Sequence, residues 1–195
     1  MQRYDIINKL IKKYNYKTYL EIGTQHGNCF TWVDIPYKIC VDPEKVFSGL
    51  THEMTSDAFF EQNKETFDII FIDGLHLEYQ VTQDLINASK ILNTNGSIVL
   101  HDCLPHSEDF TQVLHSGTVY KSIIQLRCQS TNVEIYTVDT DCGCTVVRRG
   151  SQSLWDKVVV EEAKKYSYYE ANKKELMNVI SVEEFDRLLQ STNYN

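Results

Sequence analysis

The stretch FDIIFIDGLHLEYQ, residues 67–80, decides the fold. Residues 67–73 are a short, isoleucine-rich apolar run without polar alternation, the pattern of a strand buried on both faces in the middle of a parallel sheet. The run ends at Asp73, turns at Gly74 and presents His76 before a helical pattern. That pattern places Val81, Leu85, Ala88 and Leu92 on one face. Either this is ordinary strand-to-helix punctuation, or the strand holds chemistry at its carboxyl end.

Outward from it the same alternation repeats. Ile6, Ile7, Leu10 and Ile11 predict a helix over residues 4–15. TYLEIG (18–23) predicts a strand ending in a glycine turn, and residues 28–33 begin a helix. YKICVD (37–42) predicts a second strand, HEMTSD (52–57) contains a weaker third, and SDAFFEQN (56–63) a short helix with Ser56 or Asp57 near its cap. Asn95-Gly96 signals a turn before a fifth strand, SIVLHD (97–102). Residues 118–128 read as a helix, and VEIYTVD and CTVVRR as a hairpin. From residue 151 the chain is charged, tyrosine-rich and helical in pattern, with a capping box at Ser181 and Glu184. The expected organisation is one domain over residues 1–150 and a helical extension over 151–195 packed on it. Tyr166, Tyr168 and Tyr169 either cap the sheet or form an interface between copies in a homo-oligomer.

Strands alternating with helices imply an open α/β sheet with right-handed crossovers, which binds ligands at the carboxyl ends of its strands. Glu21/Gly23, Asp42, Asp73 and His101/Asp102 are therefore expected along one edge.

Bulk properties narrow the function. The 195 residues, 42% hydrophobic, suffice for one cored domain. A net charge of −8 argues against a nucleic-acid surface, which needs a basic stripe to neutralise phosphates. No apolar run approaches the ~20 residues that cross a bilayer, and no signal peptide is read at the start. The expectation is a cytoplasmic protein with no membrane partner. The six cysteines are scattered without a CxxC pair, so free thiols are expected rather than a zinc site.

Three motifs suggest a nucleoside ligand. LEIGTQHGNCF places Gly23 and Gly27 directly after a strand, where glycine permits a tight turn and close ligand approach. The pattern is ExGxxxG, without the GxGxxG pyrophosphate fingerprint or a Walker lysine, which disfavours a nicotinamide-dependent oxidoreductase. A ligand-free glycine turn is the bland alternative. In ICVDPE, Asp42 ends the next strand, where an acid accepts both hydroxyl hydrogen bonds of a ribose; otherwise it is a turn aspartate before Pro43. In TSDAFF, Asp57 either accepts from an adenine amino group or caps a helix.

Together with FDIIFIDGLHLEYQVTQDL and LNTNGSIVLHDCLP, these segments resemble, in order and spacing, the motifs of class I S-adenosylmethionine-dependent methyltransferases of the methyltransferase-24-type branch. The match runs from about residue 18 to 105. TVDTDCGCTVVRRG and ANKKELMNVISVEEF are also similar to that branch. The resemblance implies a Rossmann-like, mostly parallel seven-stranded sheet with an antiparallel last strand and helices on both faces. It implies S-adenosylmethionine as cofactor, with Glu21, Gly23 and Gly27 around its amino-acid part, Asp42 on the ribose and Asp57 near the adenine. Asp73 is also counted with the cofactor-binding residues.

Methyl transfer to oxygen needs alignment and removal of a proton from the acceptor. His76 is the expected general base, His101 its competitor, and Asp73 an orienting acid. Similar macrolide-sugar O-methyltransferases hold Mg²⁺ with acids at these strand ends, which would make Asp73 and Asp102 metal ligands. Here the later pair is His101-Asp102 rather than two acids, and imidazole suits Mg²⁺ less well, so metal dependence stays open. The acceptor implied by the branch is a small molecule, a sugar or glycoconjugate. A non-catalytic cofactor-binding or interaction protein is the alternative. The loop after residue 103, with His106 and His115, is expected to act as a lid or substrate wall, its histidines facing solvent.

Overall fold

The computed structural model describes residues 1–191. Helix α1 (Arg3–Tyr14) leads into β1 (Thr18–Ile22), α2 (Asn28–Trp32), β2 (Tyr37–Asp42), β3 (His52–Glu53) and α3 (Ser56–Gln62). Then come β4 (Phe67–Ile72), α4 (Glu78–Ile91), β5 (Leu92–Leu100), α5 (Val119–Gln129), β6 (Val133–Val138) and β7 (Cys144–Arg149). The chain continues with α6 (Val160–Ala163), α7 (Tyr166–Leu176), β8 (Val179–Ile180) and α8 (Val182–Ser191).

The strands form one sheet in the order β3-β2-β1-β4-β5-β7-β6-β8. Strands β1 to β5 pair in parallel, and β7 runs antiparallel between β5 and β6. The seven-stranded sheet read from sequence is here extended by β8, which pairs in parallel with β6. Two residues between helices carry no periodicity, so nothing local marked β8 as a strand.

The continuous apolar run of β4 has a direct cause. Phe67, Ile70 and Ile72 enter a core with α3, α4, α5 and α7, while Ile69 and Phe71 enter a second core with α1, α2 and α8. Helices thus cover both faces, and a strand between two cores has no solvent side to make polar. The chain beyond residue 150 joins both cores: Trp155, Ala163, Tyr169 and Leu176 on one face, Phe185 on the other. Tyr169 is fully buried against Tyr120, with ring centroids 4.6 Å apart.

Local chemistry sets several boundaries. Ser181 and Glu184 exchange the two hydrogen bonds of a capping box and start α8. Helix α3 is capped by Thr55, whose hydroxyl accepts from Ala58 N–H, rather than by Ser56 or Asp57. Leu92 leaves the helical face assigned to it and opens β5. The Asn95-Gly96 turn lies inside β5, where pairing with β4 jumps from Phe67↔Leu92 to Ile69↔Ser97. Tertiary pairing thus continues across a local turn signal.

Candidate functional site

The sheet brings β2, β1, β4 and β5 side by side, with the order reversing between β1 and β4, the position where such sheets open a ligand crevice. Gly23 has φ +84°, and a Cβ there would lie 2.1 Å from the Asp73 carbonyl oxygen. Asp73 N–H bonds to Ile22 O at 2.8 Å, and Gly23 N–H to Val41 O at 2.9 Å. The glycine turn therefore lies in backbone contact with the loop that carries Asp73 and His76. Gly27, also at positive φ, faces the Phe47 ring, 2.6 Å from where a Cβ would stand.

Asp42 accepts from Gln25 N–H at 2.8 Å on one oxygen and from Glu44 N–H at 2.9 Å on the other. A carboxylate offers about four lone-pair sites, so one on each oxygen remains for a pair of vicinal hydroxyls. Glu21 does not reach the open edge: it is 1% exposed and accepts from Tyr19 O–H at 2.5 Å. Burial, with Asp73 nearby, pushes its carboxyl up to about 8 despite the Tyr19 hydrogen bond. It braces the turn from the core instead of lining it. Asp57 is exposed and accepts from Gln80 of α4. Its helix begins beside Asp42, whose carbonyl accepts from Met54 N–H at 3.0 Å.

Asp73, His76, His101 and Asp102 converge. His76 Nε2 lies 3.4 Å from Asp73 and 3.5 Å from Asp102. His101 Nδ1 lies 3.0 Å from Asp102 and 3.3 Å from Asp73. Asp102 adopts φ +59° and accepts from Ser116 O–H at 2.9 Å; a short polar side chain tolerates that left-handed turn.

Two members escaped the sequence reading. Arg3, at the start of α1, donates from Nη1 to Asp73 at 2.7 Å and from Nε to Asp141 at 3.0 Å. Asp141, in the β6–β7 turn, also lies 3.4 Å from His101 Nε2. The turn sequence DCGC, residues 141–144, carries two of the six thiols, but its acid is what reaches the cluster. Its position follows from β7 pairing antiparallel to β5: Thr145 opposite Leu100 puts the turn beside His101. Arg3 carries no comparable signal, because 70 residues separate it from Asp73.

The electrostatics follow from this packing. Burial alone would discharge His101, but Asp73, Asp102 and Asp141 outweigh it and hold the imidazole protonated far above its usual range. Asp73 is likewise pushed up by burial, yet His101, His76 and Arg3 hold it well below the usual carboxylate range. Asp102 is lowered against the same burial cost by His101, and Asp141 is lowered to about 2 by His101 and Arg3. His76 is raised, since Asp73 and Asp102 outweigh its burial.

The loop over residues 104–118 packs on the cluster. His115 supplies its carbonyl to His76 Nδ1, and Thr118 N–H bonds to His76 O at 2.9 Å. The exposed His106 and His115 rings both pack against Phe110. No helix among the described residues is long and apolar enough to cross a membrane, and all six cysteines are free.

Asp73, His76 and Asp102 have ligating atoms within 4.8 Å of one another. As a Mg²⁺ site the set fits poorly. Mg²⁺ demands octahedral oxygen ligation, whereas the surroundings here are two imidazoles and a guanidinium. Arg3 and His101 already neutralise the acids that an ion would need.

Residues 45–103 match the sequence profile of a family described as "Methyltransferase domain". No curated protein sequence matches the chain. Solved structures share the fold at low identity. A Staphylococcus aureus protein assigned as a caffeoyl-CoA O-methyltransferase is 19% identical, with TM-score 0.59 over 75% of this chain and 82% of that one. A Bacillus cereus O-methyltransferase in complex with S-adenosylhomocysteine is 13% identical, with TM-score 0.55 over 76% and 80%. TomG, the Streptomyces achromogenes O-methyltransferase involved in tomaymycin synthesis and in complex with S-adenosylmethionine, is 14% identical, with TM-score 0.55 over 75% and 79%.

Proposed function

We propose that this chain, which has the class I methyltransferase fold and carries a methyltransferase-domain segment over residues 45–103, methylates a hydroxyl oxygen of a small molecule, with S-adenosylmethionine as cofactor. The observation that carries the reading is the contact between the Gly23 turn and the Asp73–His76 loop, which sets a cofactor crevice directly against an acid–imidazole cluster. When bound, the cofactor supplies a sulfonium methyl group for direct displacement.

The chain's residues have distinct tasks. The remaining lone pairs of Asp42 accept the ribose hydroxyls, Gly23 and Gly27 hold the turn at positive φ at the amino-acid end, and Asp57 is assigned to the adenine end. His76 is the base. Its Nδ1–H donates to the His115 carbonyl, so the proton it gains goes to Nε2, which faces Asp73 and Asp102. Asp73 and Asp102, each about 3.5 Å from Nε2, stabilise the imidazolium that forms. His101 suits a fixed positive charge rather than the base, because three carboxylates keep it protonated. A site walled by acids favours an acceptor rich in hydroxyl donors, such as a sugar or glycoconjugate.

Calorimetric titration with S-adenosylhomocysteine, followed by methyl-transfer assays on a panel of sugars, nucleotide sugars and catechols, tests the reading. Micromolar cofactor binding and turnover of a hydroxylated acceptor are expected. Folded protein that binds no S-adenosylhomocysteine overturns it.

A further inference from the structure

We propose that Arg3 is the built-in cation of this site: its guanidinium bridges Asp73 at the end of β4 and Asp141 in the β6–β7 turn, where a divalent ion would otherwise be needed to hold acids in place, so that the reaction needs no metal. The inference deepens the methyltransferase reading and takes the role of the acids from it. A single guanidinium joins two regions of the edge, Nη1 reaching Asp73 after β4 and Nε reaching Asp141 in the β6–β7 turn. Asp141 also accepts from the backbone N–H of Arg3 at 2.9 Å, so both the main chain and the fork of this residue are pinned. Thr140 O–H bonds to Met1 O at 2.5 Å, fixing the chain just before α1 to the same turn. The side chain is 30% exposed, so the charge sits at the rim of the crevice rather than deep in a core.

The geometry suits a guanidinium specifically. It is planar, always charged and presents donors in a fork that can serve two carboxylates at once. It cannot leave the site as an ion does, and it adds no open coordination position. Asp73 is thereby held in a fixed orientation toward His76 and His101. Arg3 is a positioning residue in this scheme, acting on the acceptor through Asp73. Removing it takes away one of the two positive charges beside Asp73, His76 and Asp102, whose ligating atoms lie within 4.8 Å of one another, and leaves His101 as the other.

The test is Mn²⁺ uptake by the full chain, read from the electron paramagnetic resonance of the free ion. Wild type, Arg3→Lys and Arg3→Met are compared, with circular dichroism as the fold check and Arg3→Gln as a second variant should Arg3→Met fail to fold. Wild type and Arg3→Lys are expected to leave millimolar Mn²⁺ free. Arg3→Met or Arg3→Gln is expected to bind one ion about tenfold or more tightly than wild type. Uptake of Mn²⁺ by wild type as tight as by the neutral variants overturns the inference. Absence of S-adenosylhomocysteine binding by folded wild type instead overturns the methyltransferase reading, and does not alter what the ion titration reports.

Discussion

The two halves of the strand edge are built from different materials. On the β1–β2 side the site is mostly backbone: a glycine turn at positive φ, and a single aspartate already fastened to two loop N–H groups. On the β4–β5 side it is almost all charge, with three carboxylates, two imidazoles and a guanidinium in mutual contact. Backbone geometry tolerates loss of charge but no added atom. A charge network tolerates small changes of shape but not the loss of a member, which leaves a partly buried ion unpaired.

That contrast is broken most severely by removing the base. His76→Ala is expected to lower kcat about 10²- to 10⁴-fold while leaving S-adenosylhomocysteine affinity nearly unchanged; an equal loss of both would place His76 on the cofactor side. With His76 as the proposed base, its active form in the wild type is the neutral one. Its pKa is raised above 6.5, so kcat/KM should climb with pH through a value higher than that of a free imidazole. A pH-rate profile that is flat from pH 6 to 8 (~ the range where an imidazole titrates) would remove this assignment.

Next in size is Gly23→Ala. Its Cβ would lie 2.1 Å from the Asp73 carbonyl oxygen, at a φ that alanine adopts only with strain. A loss of about 3 kcal/mol or more in stability is expected by denaturant unfolding, with loss of cofactor binding.

Glu21→Gln separates charge from shape on the same side. The folded-state carboxyl is raised from 4.5 to about 8, so the folded protein binds more protons than the unfolded chain between those values. Stability therefore falls as pH rises through that window. The glutamine variant should lack that fall and, at pH near 8, gain about 2–4 kcal/mol over wild type. Melting temperatures measured across the window check it. Identical pH dependence in the two proteins would mean that Glu21 is already ionised in its buried place.

Smallest is Asp42→Asn, which keeps the shape and halves the acceptor capacity. Calorimetry should show S-adenosylhomocysteine weakened about tenfold, the worth of a charged hydrogen bond of about 1.5 kcal/mol. No change would detach Asp42 from the ribose.

Much of this molecule could be read in one dimension. The apolar run before Asp73, the glycine turn after β1 and the hairpin near residue 140 are local patterns, because each is enforced by burial or turn geometry within a few residues. They determined the sheet, its ligand edge and the convergence of Asp73, His76, His101 and Asp102. What tertiary structure alone decided is the company these residues keep. Arg3 lies 70 positions from Asp73 and 138 from Asp141, and Arg3 and Asp141 enter the site through helix packing and antiparallel strand register rather than local propensity. Electrostatic interactions act through space and depend steeply on distance and burial. That is why the order of the sequence named the acids, and only the folded chain determined which charges face each of the two histidines.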